Sequence, residues 1–458
     1  MNQLPHELVQ HILSYLDLDS LCNAVLSCRF LFGAFKEAET LITGAILLQH
    51  IDYDVLPEAI LVNKSWGLFS CEFWDGMNFD VILDRAGDGS FPFCDPIELD
   101  EMLGRREPAP TKWTLADAFP LMQFHKIVSY FARRFAHEAL KKQKQHNKLN
   151  KVNELPPRLL ETGKLEHEEL CRIERALYRF QLYCNLVVPP AQVRCQELRG
   201  DFQFFSYFAT WENEQLACIH EYLVRLVAKP FNYLVEHDIT WGYLRLCWII
   251  SHSDRYAEGI LMGGLPKIYD LCQASEYDQW HALLSVGDDA MLGPPRVDNF
   301  LATWFAENRP GPPSVALSEM DQELKESVIG EAFYKDADPG PASIWEWLYR
   351  NREGRLVGHE DMRIYRQWAC PFWNLSRLKN AGLLEDPDIP GPAGQGETHH
   401  GELGLADITF DRLSLMSSVT DRINIYCEGG RGWYGNQDTS QVRWGPHPKG
   451  RPVYTFST

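Results

Sequence analysis

The sequence predicts a mainly α protein: a short unit of three helices, a larger and irregular helical region behind it, and a loop-rich C-terminal tail. Three observations predict it. Apolar residues recur at three- and four-residue steps in segment after segment, which is the period of a single buried helix face. Clusters rich in Gly and Pro, such as LGPPR, ENRPGPPS and KDADPGP, separate those segments. Finally, residues 4–35 carry more apolar side chains than three short helices can hide among themselves, since units below about 40 residues usually need a staple or an associate.

In residues 4–35, LPHELVQHILSYLDLDSLCNAVLSCRFLFGAF, the first helix is amphipathic. Leu8, Val9, Ile12, Leu13, Tyr15 and Leu16 fall on one broad arc, and Glu7, Gln10, His11 and Ser14 on the other. Pro5 suits the first helical position, where a missing N–H costs nothing. Asp17 to Ser20 supplies turn and cap formers. A second helix carries Leu21, Ala24, Val25 and Cys28 on one face with Leu26 off it, and Ser27 is a candidate cap for a third helix bearing Phe30, Leu31, Ala34 and Phe35.

The order Leu-Pro-x-Glu-Leu, then Ile12-Leu13, Leu16-Asp17, Ser20-Leu21 and Ser27-Cys28-Arg29, resembles the F-box, the three-helix motif by which adaptors dock on the Skp-type linker of Skp-cullin-F-box ubiquitin ligases. One position departs: Leu18 stands where that turn often holds proline. An ordinary amphipathic start to a helical protein is the competing reading of the same residues. The resemblance implies that Leu4, Pro5, Leu8, Ile12, Leu16, Leu21, Val25 and Cys28 meet the linker protein, although some of them must hold the three helices together instead.

Composition bounds the function. A 458-residue chain with 45% hydrophobic and 12% aromatic residues is a folded protein of two or three domains. A net charge of -19 disfavours nucleic acid and anionic membrane as partners, while leaving a basic protein surface open. No targeting segment or membrane span is apparent, so a soluble protein of the cytoplasm, the nucleus or both is expected. The twelve cysteines include no C-x-x-C pair and suit reduced thiols, most of them small core residues.

Three regions follow: the F-box with a connecting helix (1–48), a helical domain expected to bind substrate (49–384), and a low-complexity linker with an irregular tail (385–458). Ala38, Leu41, Ile42, Ala45 and Leu48 extend the helical pattern, and Pro57 marks a further helix start. Residues 84–112, rich in Gly, Pro and Asp, read as a long surface loop. A long helix is expected over 114–148, with Leu121, Phe124, Val128, Phe131, Phe135 and Leu140 inward. Its basic end, residues 141–151, fits a solvated helix terminus better than a nuclear import signal.

The helix over 165–188 has the cleanest period, through Leu170, Ile173, Leu177, Phe180, Cys184 and Val187, and is too short for a secure coiled coil, so an internal bundle contact is expected. Residues 211–229 form another helix, with Leu216, Ile219, Leu223 and Leu226 inward and Pro230 interrupting it. Further helical stretches are expected over 241–285, 297–308, 314–334 and 342–351. A last strong helix is expected over 358–381, where Tyr365, Trp368, Phe372, Trp373 and Leu378 read as a closing core layer rather than a ligand pocket. Several of these stretches, including IDYDVLPEAILVN, CRIERALYRFQLYCNL, WENEQLACIHEYL and YRQWACPFWNLSRLKNAGLL, resemble F-box proteins of fungi. Beyond Leu384, EDPDIPGPAGQGETHHGELG reads as a flexible linker, and DITFDRL and RINIYC as short strands or irregular chain.

Catalytic motifs are missing. There is no phosphate loop, dinucleotide fingerprint, H-E-x-x-H pair or nucleophile elbow, and no leucine-rich, propeller or kelch repeat. Consecutive Ser251, His252, Ser253 and Asp254 cannot converge as a triad does. His399 and His400, with Glu397 and Asp407, lack zinc-ligand spacing, so neither metal nor cofactor is expected. With no RING-type cysteines, ubiquitin transfer would fall to partners. The resemblance therefore implies a non-catalytic substrate adaptor, tethered by its F-box to the Skp-type linker and through it to cullin, and holding a protein substrate of unread identity near the conjugating enzyme. Two alternatives remain: an F-box scaffold acting without ubiquitination, or an enzyme with an unrecognised site in the helical domain.

Overall fold

The computed structural model describes residues 4–68, 103, 112–149, 164–186, 204–243, 254–285, 315–351, 356–359, 362–384, 412–435 and 437–445. Among them the chain is mainly α, as its periodicity predicts, and none of its helices is long and apolar enough to cross a membrane. Two compact units emerge. The first comprises Met1–Pro189, Arg194–Ile219 and Asn308–Gly394, the second Pro190–Val193, His220–Glu307 and Gln395–Thr458.

The first unit opens with α1 (His6–Leu13), α2 (Leu18–Ser27), α3 (Arg29–Glu37), α4 (Glu39–His50) and α5 (Leu56–Leu68), followed by α6 (Leu115–Leu149) and α7 (His167–Leu186). In α4 the buried stripe is Ile42, Thr43, Ile46 and Leu47, while Leu41 and Leu48 face solvent. The expected stripe through Leu41 and Leu48 was thus about one residue out of phase. The expected loop over 84–112 and the helix over 297–308 lie outside the described residues, apart from Leu103 and Lys112.

The centre of this unit is α7. Of its expected apolar stripe, Ile173, Leu177 and Phe180 are fully buried, Leu170 and Cys184 are half-buried and Val187 lies outside the described residues, yet Glu169, Arg172, Glu174, Arg175 and Arg179 are buried as well. A helix covered on all sides can hold charges only where partners replace water. Arg179 meets Glu58 of α5 at 3.0 Å and Glu212 at 2.7 Å. Arg172 pairs with Asp336 and donates to the Phe372 carbonyl at 2.9 Å. Arg377 holds Glu169 through both Nε and Nη2, each at 2.7 Å. These pairs fasten the segment around 336–377 onto α7.

Helix α8 (Thr210–His237) gives its first residues to the first unit, where Glu214 accepts from the Tyr349 hydroxyl, the Gly358 amide and Arg366. Pro230 does not interrupt it. Proline deletes one ladder hydrogen bond, but Phe231, Leu234 and Val235 just beyond it are buried, and burial of three large side chains outweighs a penalty of about 3 kcal/mol.

In the second unit, α9 (Ile239–Tyr243) is followed by α10 (Asp254–Leu261), α11 (Gly264–Gln273) and α12 (Tyr277–Leu284). The first unit resumes with α13 (Gln322–Ile329) and α14 (Gly340–Tyr349). Gly340 passes so close to the backbone at Trp373 and Leu375 that a Cβ would lie 2.5 Å from the Trp373 carbonyl oxygen.

The single helix expected over 358–381 is instead three short pieces: α15 (Arg363–Gln367), a 3-10 turn at Cys370–Phe372, and α16 (Leu375–Asn380). Pro371 cannot continue a helix, and Ala369 takes a left-handed conformation with φ 58° to turn the chain. Trp368, Phe372, Trp373 and Leu378 are nonetheless core, as expected, with Tyr365 partly exposed.

The region expected as an irregular tail contains α17 (Arg412–Cys427) and an antiparallel pair, β1 (Gly430–Gly432) with β2 (Val442–Trp444), all belonging to the second unit. The piece RINIYC is helical, not a strand. Its buried residues Arg422, Ile425 and Tyr426 follow helical spacing, and Ile425 and Tyr426 pack with Ile239, Tyr434 and Val442. Arg422 donates to the carbonyls of Val235 and Asp238 at 2.6 and 2.9 Å, the first of them near the end of α8, where carbonyls lose their helical partners.

Candidate docking surface of the N-terminal helices

Pro5 precedes α1 as its last extended residue, with φ -56° and ψ 145°, one place earlier than expected. Its carbonyl accepts from the amides of Leu8 and Val9 at 3.1 and 3.3 Å. Asp17 caps α2: one carboxylate oxygen accepts from the Ser20 amide at 2.9 Å and the other from the Ser20 hydroxyl at 2.7 Å. These two bonds hold the Asp17 carboxyl below its ordinary range. Leu18 occupies the first helical position and is buried, so the residue that departs from the F-box pattern fills the place proline would fit and adds apolar packing.

Ser27 does not cap α3. Its hydroxyl turns back to the Ala24 carbonyl at 2.7 Å, and the extended Cys28 precedes the helix without a side-chain cap bond. Gln10 donates to the Ala34 carbonyl at 3.1 Å, and His6 meets Glu37 at 2.9 Å, fixing α1 against α3. Two contacts tie this region to α6: Lys126 pairs with Asp19 of α2 at 3.0 Å, and the Leu115 amide donates to Glu39 at the start of α4 at 3.1 Å.

The broad apolar arc of α1 divides in two. Val9 and Leu13 are 3% and 2% exposed, whereas Leu8, Ile12 and Tyr15 are 50%, 54% and 67% exposed. Leu8 and Ile12 stand one helical turn apart on α1, and Tyr15 follows in the turn just beyond its end. The other two helices also leave apolar side chains outward, Leu26 on α2 and Phe32 on α3. A contiguous exposed apolar patch marks an interaction surface where single exposed side chains do not, and Leu8 and Ile12, one helical turn apart on α1, are adjacent.

Of the residues singled out from the sequence, Leu4, Pro5, Leu8, Ile12 and Cys28 are exposed and Leu16 is half-buried. Leu21 and Val25 lie in the interior with Val9, Leu13, Ala34 and Phe35, where they carry the packing of the three helices. Tyr15, Leu26 and Phe32 were not singled out. The step from Leu8 through Ile12 to Tyr15 was the available signal for the first, and the position of Leu26 off its helix's inward face for the second.

The remaining candidates contribute little. Side chains of Ser251, His252, Ser253 and Asp254, and all of Glu397, His399, His400 and Asp407, lie outside the described residues. So do the side chains of the basic run beyond Lys141.

With this geometry in hand, comparison by family identifies the unit: the family model for F-box-like domains matches residues 1–37. The chain therefore carries an F-box-like domain, a protein-interaction module. No curated protein and no solved structure matches the chain.

Proposed function

We propose that the protein is a substrate-recognition adaptor of a Skp-cullin-F-box ubiquitin ligase, docking on the Skp-type linker through Leu4, Pro5, Leu8, Ile12 and Cys28, with Leu16, Tyr15, Leu26 and Phe32 at or beside the contact. The observation that carries this reading is the exposed apolar pair Leu8 and Ile12 of α1, with Tyr15 just beyond, on an F-box-like domain. Leu21 and Val25 act indirectly, by holding the three helices in shape. Burying the exposed pair on a partner supplies about 25 cal/mol for each Å² removed from water, the usual driving force of association. The helical body would then hold a protein substrate, and local concentration rather than chemistry of this chain would speed ubiquitin transfer.

Co-purification tests it. Wild-type chain should retain a Skp-type linker and cullin, and the double substitution Leu8→Asp with Ile12→Asp should lose both while the rest stays folded. Retention of the linker by the folded double variant overturns the docking assignment. Linker without cullin in the wild-type sample favours a scaffold acting without ubiquitination.

A further inference from the structure

Asp52, in the turn before α5, meets the first turn of α7 in the first unit. Its Oδ2 lies 2.7 Å from Nε2 of His167. The same Nε2 lies 3.7 Å from Sγ of Cys171, one helical turn further on. All three donor atoms fall within 4.8 Å of one another. We propose that Asp52, His167 and Cys171 form a binding site for a divalent cation of the zinc class, with water in the fourth position.

Thiolate, imidazole and carboxylate together select zinc or a chemically similar ion over magnesium or calcium, which prefer oxygen alone. In a tetrahedral site with metal–ligand distances of about 2.0 Å to N and O and about 2.3 Å to S, imidazole and thiolate donors stand about 3.5 Å apart and imidazole and carboxylate about 3.3 Å. The nitrogen and sulfur are already near that spacing. The nitrogen and oxygen must part by about half an ångström, which the His167 side chain, 66% exposed, can do by a small rotation.

Ion entry replaces the Asp52–His167 hydrogen bond with two coordinate bonds. The Cys171 thiol proton leaves to solvent, and the neutral imidazole carries its proton on Nδ1, so no oxidant or reductant is involved. The amides of the first turn of α7 oppose a cation there. Asp52 and Asp54 counter them; burial above all, then Asp52, Glu174 and Asp54, pushes the metal-free Cys171 thiol up to about 12 against the pull of Arg175. The sequence hid this site because His167 and Cys171 read as ordinary helix positions and Asp52 is 115 residues away from His167.

The test is Co²⁺ titration of the full chain with the exposed Cys28 and Cys427 replaced by serine. One equivalent should give tetrahedral d–d bands and a thiolate-to-cobalt charge-transfer band, both displaced by Zn²⁺. Cys171→Ser should remove the charge-transfer band, and His167→Ala or Asp52→Asn should weaken binding at least tenfold. Absence of the band in the parent chain overturns the site, as does an unchanged spectrum and affinity in Cys171→Ser. Should that buried variant fail to fold, the two more exposed substitutions decide, and unchanged affinity in both overturns the site.

Discussion

Leu8 and Val9 are sequence neighbours with opposite surroundings: half of Leu8 is open to water, whereas Val9 is sealed inside the three-helix unit. One residue along a helix is a rotation of about 100°, enough to separate a fold-forming face from a free one. That separation leaves Leu8 free to meet a partner while Val9 holds the three helices together.

Stability and linker capture should therefore respond to different residues. Leu13→Ala removes a buried side chain and should destabilise the N-terminal helices by about 2–5 kcal/mol. Replacing exposed Leu8 and Ile12 with Asp should leave the unfolding midpoint nearly unchanged while ending linker capture. Urea titration beside pull-down on the same samples measures both, and equal destabilisation by the two sets would contradict the assigned faces.

Arg179→Met leaves Glu58 and Glu212 buried without their cation. Glu58 is a sensitive partner, its carboxyl pushed upward by burial against the pull of Arg179 and Arg175, and one of its oxygens has no hydrogen bond among the described residues. The expected loss is about 3–5 kcal/mol by chemical denaturation. Adding Glu58→Gln should return part of it, since one orphaned charge is then gone.

The pH dependence of the first unit should expose two opposed groups. Burial holds His125 down to about 4, so between there and its ordinary 6.5 the unfolded chain binds more protons and stability rises with pH. Burial holds Glu174 up to about 7, so from its ordinary 4.5 upward the unfolded chain binds fewer protons and stability falls with pH. The two trends oppose each other between about 4.5 and 6.5. Glu174→Gln should unmask the rise and add stability at pH 7.5, on the order of 3 kcal/mol at most. Denaturation midpoints from pH 4 to 8 with chelator present check this, and a flat difference between the two proteins would refute it.

Truncation after Leu384 should damage the second unit. It uncovers Ile239 and Tyr243 and removes Arg422 from the Val235 and Asp238 carbonyls. Hydrogen exchange of residues 220–243 and 254–285 should accelerate at least tenfold in the truncated chain, and Arg422→Met should reproduce part of the effect. Unaltered exchange would mean that the C-terminal segment is dispensable.

The sequence by itself determined the helical class, the long helices α6 and α7, and the F-box-like unit, because each depends on periodicity or pattern within a short stretch. Leu121, Val128 and Phe135 repeat along one helix, and the motif lies within residues 1–37. Tertiary structure decided which half of the α1 arc is free, why Pro230 fails to end a helix while Pro371 helps break one, and why RINIYC is helical. It also brought Arg179 to Glu58 across 121 residues and Asp52 to Cys171. Such choices depend on how much surface distant segments bury and which charges they supply, and local spacing carries no record of either.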